Sequence, residues 1–294
     1  MFEQNNCKVT PIDQASSLRK MNIIGEINVL TITGGKGGVG KTNTAINLAV
    51  ALADTKQKVM LLDADFGLSN IDVMLGLRTK NNLHHVLLNE CNIEEIIIQG
   101  PRGVQIIPAS SGVREMANLN ANQHMGIIDS ISQLNPNLDY FIIDTAAGVG
   151  DNVSLFTHLA NNILIVVCDE PASLADAYAL IKILTKRGVN KKIHVLSNMV
   201  ESSAHGERLF SQLEKVANHF LDVNLEYCGY IPNDEYVKKA IQKQKSVLDA
   251  YPVSRSSLGF TRLARTVNAW PRSISASGTV ELFLEQQLSN QNIK

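Results

Sequence analysis

"TGGKGGVGKTN", residues 33–43, decides how the rest of this 294-residue chain is read. Inside it "GKGGVGKT", Gly35 to Thr42, fits the phosphate-loop pattern G-x-x-x-x-G-K-[ST]. An apolar run, "INVLTIT", precedes it and a helical pattern, "KTNTAINLAVALAD", follows, so a strand hands over to a helix here. Glycines let successive N–H groups turn toward phosphate oxygens, and a helix N-terminus adds a favourable dipole. Gly35, Gly37, Gly38, Val39, Gly40 and Asn43 would form the cradle. Lys41 would reach the β- and γ-phosphates, and Thr42 would ligate Mg²⁺. A ligand-free glycine turn is the alternative; strand, loop, lysine, threonine and helix coinciding argue against it. One residue after the first glycine stands a second lysine, Lys36, which could be an ordinary solvated side chain.

Working outward, short apolar runs alternate with helical patterns. "KVMLLDAD", "VQIIPA", "YFIIDTA", "ILIVVCD", "KIHVLSN" and "LEYCGYIP" join "INVLTIT" as strands, several apolar throughout, as strands buried on both faces are. The pattern predicts one α/β domain, a mostly parallel twisted sheet flanked by helices, over 23–272. Residues 1–22 form an N-terminal extension and 273–294 a C-terminal segment, with "SISASG" as a joint. "SLADAYALIKILTKRG" reads as a helix stopping at Lys186 and Arg187 before Gly188.

Carboxylates fall at strand ends, where open α/β sheets bind ligands. Asp63 and Asp65 close "LLDAD"; one can hold a Mg²⁺ hydration shell while another orients a water, unless both are solvated acids. "YFIIDTAAGVGD" has the apolar-run-then-Asp form of a Walker B strand, so Asp144 would bind Mg²⁺ through water. Gly148 would free the following loop to move, and Asp151 is read as the N-cap of the next helix. Asn198 at one strand end, and Pro232, Asn233 and Asp234 at the next, suit an adenine edge, since an Asn amide both donates and accepts. For Asn198 a plain turn remains open. His84 and His85 read as part of a surface helix, and Val267 and Trp270 as a packed helix face.

Net charge is −1, so no overall positive field draws the chain to nucleic acid. Cys7, Cys91, Cys168 and Cys228 form no C-x-x-C pair, which argues against a disulfide framework, a zinc site or a shared cluster. There is no signal-peptide pattern, and no apolar run reaches the about 20 residues that span a bilayer. A cytoplasmic protein is the expectation.

The early lysine gives the loop the form K-G-G-x-G-K-[ST], and on it the chain resembles the MinD/ParA-type ATPases, with their deviant Walker A motif. That resemblance implies ATP and Mg²⁺ as ligands and slow, switch-type ATP hydrolysis. It implies that Lys36 crosses an ATP-bound homodimer to the partner's phosphates, with Asn70 near that interface. It makes Asp65 the water-positioning residue of switch I, with Asp63 supporting the Mg²⁺ shell. Asn198 and the Pro232–Asp234 loop would hold the base. "IDQASSLRKM" fits D-Q-A-x-x-L-R, displaying Asp13, Gln14, Ala15, Leu18 and Arg19; from physics alone an unremarkable amphipathic surface helix is the favoured reading, and the resemblance reverses that order. With "DADFGLSNIDVMLGL" and "DEPASLADAYALIK" it resembles the flagellar-number branch of the family (FlhG/FleN). This implies activation of the signal-recognition-type GTPase FlhF and contacts with a flagellar transcriptional master regulator and C-ring proteins. "GTVELFLEQQL" places Val280, Phe283, Leu284 and Leu288 on one helical face. In the family such a helix attaches the ATP dimer peripherally to the anionic inner face of the membrane. Here Glu281 and Glu285 replace a basic flank, and packing on the protein's own surface is the alternative. Rival readings are a ParA-type DNA or cargo positioner, division-site MinD and an inactive ATP-binding scaffold.

Overall fold

A computed structural model describes residues 27–271, apart from 110–115, 117–118, 133, 135–136 and 190. The strands are β1 (Asn28–Thr33), β2 (Val59–Ala64), β3 (Ile98–Gln99), β4 (Gln105–Ile107), β5 (Tyr140–Thr145), β6 (Asn162–Val167), β7 (Lys192–Val200) and β8 (Leu225–Pro232). They form one 8-stranded sheet ordered β3-β4-β2-β5-β1-β6-β7-β8. Every pairing is parallel except that of β3 with β4. β1, β2, β5 and β6 are buried at every position, which their uninterrupted apolar runs require. The predicted α/β fold and all seven predicted strands are present. β3 was not anticipated, because two residues carry no periodicity.

Between the strands run α1 (Lys41–Asp54), α2 (Ile71–Leu75), α3 (Leu83–Leu87), α4 (Ile93–Ile96), α5 (Ala121–Ser132), α6 (Asp151–Leu159), α7 (Pro171–Lys186), α8 (Ser203–Leu221), α9 (Glu235–Gln242), α10 (Val247–Ala250) and α11 (Arg255–Asn268). Alternate side chains of each strand enter opposite cores: Val29 joins the layer under α3 to α8, and Leu30 the layer under α1, α2 and α9 to α11. α1 is buried along most of its length; Leu48 and Leu52 are wholly enclosed, each burial worth about 1.5–3 kcal/mol.

Register sets the site. Ile32 of β1 stands beside Asp144 of β5, and Asp144 beside Asp63 of β2. The phosphate loop leaving β1 therefore opens next to two buried carboxylates.

Several smaller expectations resolve. α7 begins at Pro171, stops at Lys186 and has Arg187 as its C-cap, with Gly188 left-handed at φ 77°. His84 and His85 lie on α3, where the His85 ring bonds Asn82. Val267 is buried, whereas Trp270 stacks on His194 with ring centroids 3.7 Å apart. Asp151 is not an N-cap: Gly150 holds that position, and Asp151, the first helical residue, pairs with Arg187 at 3.2 Å. No helix among the described residues is long and apolar enough to cross a membrane. The 13–19 motif and the 280–288 face lie outside the described residues.

Candidate nucleotide-binding site

The phosphate loop runs from the end of β1 to α1 with left-handed turns at Gly38 (φ 82°) and Gly40 (φ 92°). At Gly40 a side chain is excluded twice, by that φ and by the Asn198 amide nitrogen, 2.3 Å from where a Cβ would stand. Gly35 fits because its face lies against the first half of α7; a Cβ there would meet the Asp176 carbonyl carbon at 2.1 Å.

Lys41 opens α1 and is buried, its Nζ turned back toward the Lys36 carbonyl oxygen at 3.4 Å. Burial lowers its pKa, against the pull of Asp144 and Asp65. Asp144 is buried at 1% exposure, and neither carboxylate oxygen has a hydrogen-bond partner among the described residues. Burial and then the Asp63 charge push its pKa well above the ordinary value, while Thr42 and Lys41 pull it down. A buried carboxylate that no well-formed hydrogen bond satisfies, close to a threonine hydroxyl and an ammonium, is a cation-binding arrangement. The donor set fits Mg²⁺ with a phosphate.

Asp63 has another task. Its Oδ2 accepts from Ser69 Oγ (2.8 Å), Asn70 N (2.9 Å) and Ile71 N (3.1 Å), and its Oδ1 from Asp65 N (3.2 Å). It organises the 65–71 loop, and its pKa is nevertheless raised to about 6 by burial. Asp65 is half-buried on that loop, and its Oδ1 accepts from Leu68 N at 3.3 Å. Asn70 is exposed and caps α2 without a side-chain bond. Across the site, Gly148 (φ 94°) donates its N–H to the Gly34 carbonyl at 3.1 Å, closing the 146–150 loop onto the phosphate loop.

Lys36 turns away from Lys41 and pairs with Glu170, just before α7. That hydrogen bond raises its pKa. Its neighbour Asp169 meets His205 Nε2 at 2.9 Å. Sequence reading missed Glu170. Its place beyond the end of β6, beside β1, was the available signal.

Asn198, Pro232, Asn233 and Asp234 do come together. With Gly38, Gly40 and Asn43 they line a cavity of about 240 Å³ at the ends of β7 and β8. Asn198 Nδ2 donates to the Val39 carbonyl at 2.8 Å, which fixes the amide and leaves its oxygen for an exocyclic amine. Asp234 also caps α9, accepting from Tyr236 N (3.1 Å), Ser256 N (2.9 Å) and Ser256 Oγ (2.9 Å). Burial would raise its pKa, but these bonds and Arg255 lower it. Met199, Val237, Lys238, Ile241 and Phe260 complete the wall and were not anticipated, because α9 and α11 reach the cavity only through the fold.

Comparison with known proteins agrees with this geometry. The ParA family model, described as the NUBPL iron-transfer P-loop NTPase, matches residues 26–268. The chain is 47% identical over 269 residues to the antiactivator FleN of Pseudomonas aeruginosa, covering 92% of this chain and 96% of that one. It is 32% identical over 241 residues to the flagellum site-determining protein YlxH of Helicobacter pylori, covering 82% and 81%. Among solved structures, the septum site-determining protein MinD of Pyrococcus horikoshii, complexed with Mg-ADP, superposes with TM-score 0.65 at 25% identity, covering 83% of this chain and 96% of that one.

Proposed function

This chain belongs to the ParA/MinD family of P-loop NTPases, and from that premise we propose that it is an ATP-driven dimerisation switch controlling flagellar number and placement. The observation that carries the nucleotide reading is Asp144: a buried carboxylate whose oxygens accept no well-formed hydrogen bond among the described residues, with the Thr42 hydroxyl and the Lys41 ammonium near enough to lower its pKa. Thr42 and Asp144 would hold Mg²⁺, which supplies charge neutralisation at the phosphates. Lys41 and the loop amides bind and orient the phosphates, and the Asn198 oxygen favours adenine over guanine. Asp65 orients the attacking water, and Asp63 holds the loop that carries Asp65 in place, supporting the metal shell from behind. Lys36 leaves Glu170 to serve the phosphates of a second copy, so that nucleotide state sets oligomeric state, with Asn70 beside the interface.

The flagellar assignment rests on the 47% identity to FleN. The Asp13–Arg19 motif would activate the GTPase FlhF. The Val280–Leu288 face would attach the dimer to the membrane, two weak helices gaining strength by avidity. The transcriptional master regulator and the C-ring remain the further partners of this reading. Iron transfer, the activity in the family model's description, is less favoured: Cys168 follows β6 and Cys228 lies buried in β8, with β7 between them.

Lys36→Ala is expected to abolish ATP-dependent dimers in size-exclusion light scattering while leaving ATP binding. Asp65→Ala should bind ATP, stay dimeric and lose phosphate release by about 100-fold or more, the scale of a lost positioning group. Dimers of the Lys36 variant, or normal turnover by the Asp65 variant, would remove those residues from their roles.

A further inference from the structure

The outer face of α9 and the turns around α10 carry a feature that neither phosphates nor base would use. The Tyr236 and Tyr251 rings meet at 4.6 Å, with Lys239 4.9 Å over the first and Lys243 4.8 Å over the second. Of the acids of this region, Asp234 is engaged in the α9 cap and Asp249 with Arg102 at 2.8 Å, while Glu235 pairs on the surface with Lys239 at 3.0 Å and Asp72 accepts from the Val73 N–H at 2.8 Å. Lys243 and Lys245 are exposed and form no ion pair among the described residues. Between them, Gln244 donates to the Val73 carbonyl at 3.2 Å, joining this surface to α2. Val73 there is 60% exposed; beyond Tyr251, Val253 is 86% exposed. Two exposed lysines without a carboxylate partner among the described residues thus share this region with two bare apolar side chains, on a chain whose net charge is −1.

We propose that this surface docks an acidic, amphipathic segment of a partner protein, its apolar residues covering Val73 and Val253 and its carboxylates pairing with Lys243 and Lys245. Charge complementarity selects carboxylates. Each tyrosine already packs against the other, tilted by 47°, and lies under a lysine, which disfavours single-stranded nucleic acid, since that binds by laying bases on free aromatic faces. Because α9 also lines the base cavity and Gln244 reaches α2, an occupant here would touch a wall of that cavity and the helix at the end of the 65–71 loop.

The test uses the full chain and a fluorescein-labelled peptide built from alternating leucine and glutamate pairs, read by anisotropy. Double-stranded DNA and phosphatidylglycerol vesicles are titrated in parallel. The wild-type protein should bind the peptide, more weakly as salt rises. Lys243→Glu with Lys245→Glu, and separately Val253→Asp, should each weaken binding by about tenfold or more with ATP turnover intact. Wild-type affinity in both variants, no peptide binding at all, or a loss confined to DNA or vesicles would each overturn the proposal.

Discussion

In the proposed dimer Lys36 would have two competing partners. In the single chain it is held by Glu170, with both side chains partly in water (37% and 53% exposed), and exposed ion pairs hold weakly. A nucleoside triphosphate on a second copy would offer far more negative charge than one carboxylate. Glu170→Gln removes the competitor and keeps the shape. The ATP concentration for half-maximal dimerisation should fall severalfold, and fall less at high salt, which screens the pair in the wild type. A titration followed by light scattering at low and high salt checks this; unchanged midpoints would mean that the cis pair does not restrain Lys36.

At the scale of elements, the loops facing the nucleotide are tied to helices by particular contacts. Phe66, 1% exposed, meets Phe156 of α6 edge-on with centroids 5.8 Å apart, so the 65–71 loop is anchored to the helix that follows the 146–150 loop. Phe66→Ala should cost about 3–5 kcal/mol in urea unfolding and loosen both loops together. If Gly148 amide exchange then stays as slow as in the wild type, the two loops are not coupled through this pair. Such contacts explain what could be read from sequence. β1, β2, β5 and β6 were legible because strands buried on both faces are apolar throughout. The phosphate loop was legible because backbone geometry dictates its glycines. Glu170 beside Lys36 and Gln244 against Val73 join segments more than 100 residues apart and leave no local period. Asp63 was placed at the right strand end, but its task of holding four donors of its own loop depended on how residues 65–71 fold back, which no spacing reports.

Over the whole molecule, the sheet concentrates acidic groups at the ends of two adjacent strands, beside the phosphate loop. Asp63 and Asp144 are register neighbours on adjacent strands, with Asp65 beyond, and Lys41 is the ammonium buried among them. In the absence of a cation this arrangement opposes folding, and its sign with pH is definite. Asp63 rises from 3.8 to about 6 and Asp144 rises well above its ordinary value, so the folded chain holds protons that the unfolded chain has released. Their contribution is fully present below about pH 4 and is lost as pH climbs through about 6 and beyond; for Asp63 alone this rise is worth roughly 3 kcal/mol. Asp144→Asn should therefore be more stable than the wild type at pH 7.5, and the advantage should shrink toward pH 4.5. Mg-ADP reverses the order, since a divalent cation needs the ionised carboxylate. Its affinity for the wild type should weaken as pH drops, by up to about tenfold per unit for each proton displaced. The asparagine variant should show a weaker pH dependence and less proton release in calorimetry across buffers of different ionisation enthalpy, the remainder belonging to Asp63. Thermal midpoints from pH 4.5 to 8, with and without Mg-ADP, decide the matter: parallel curves for the two proteins would mean that Asp144 neither stores this charge nor meets the metal.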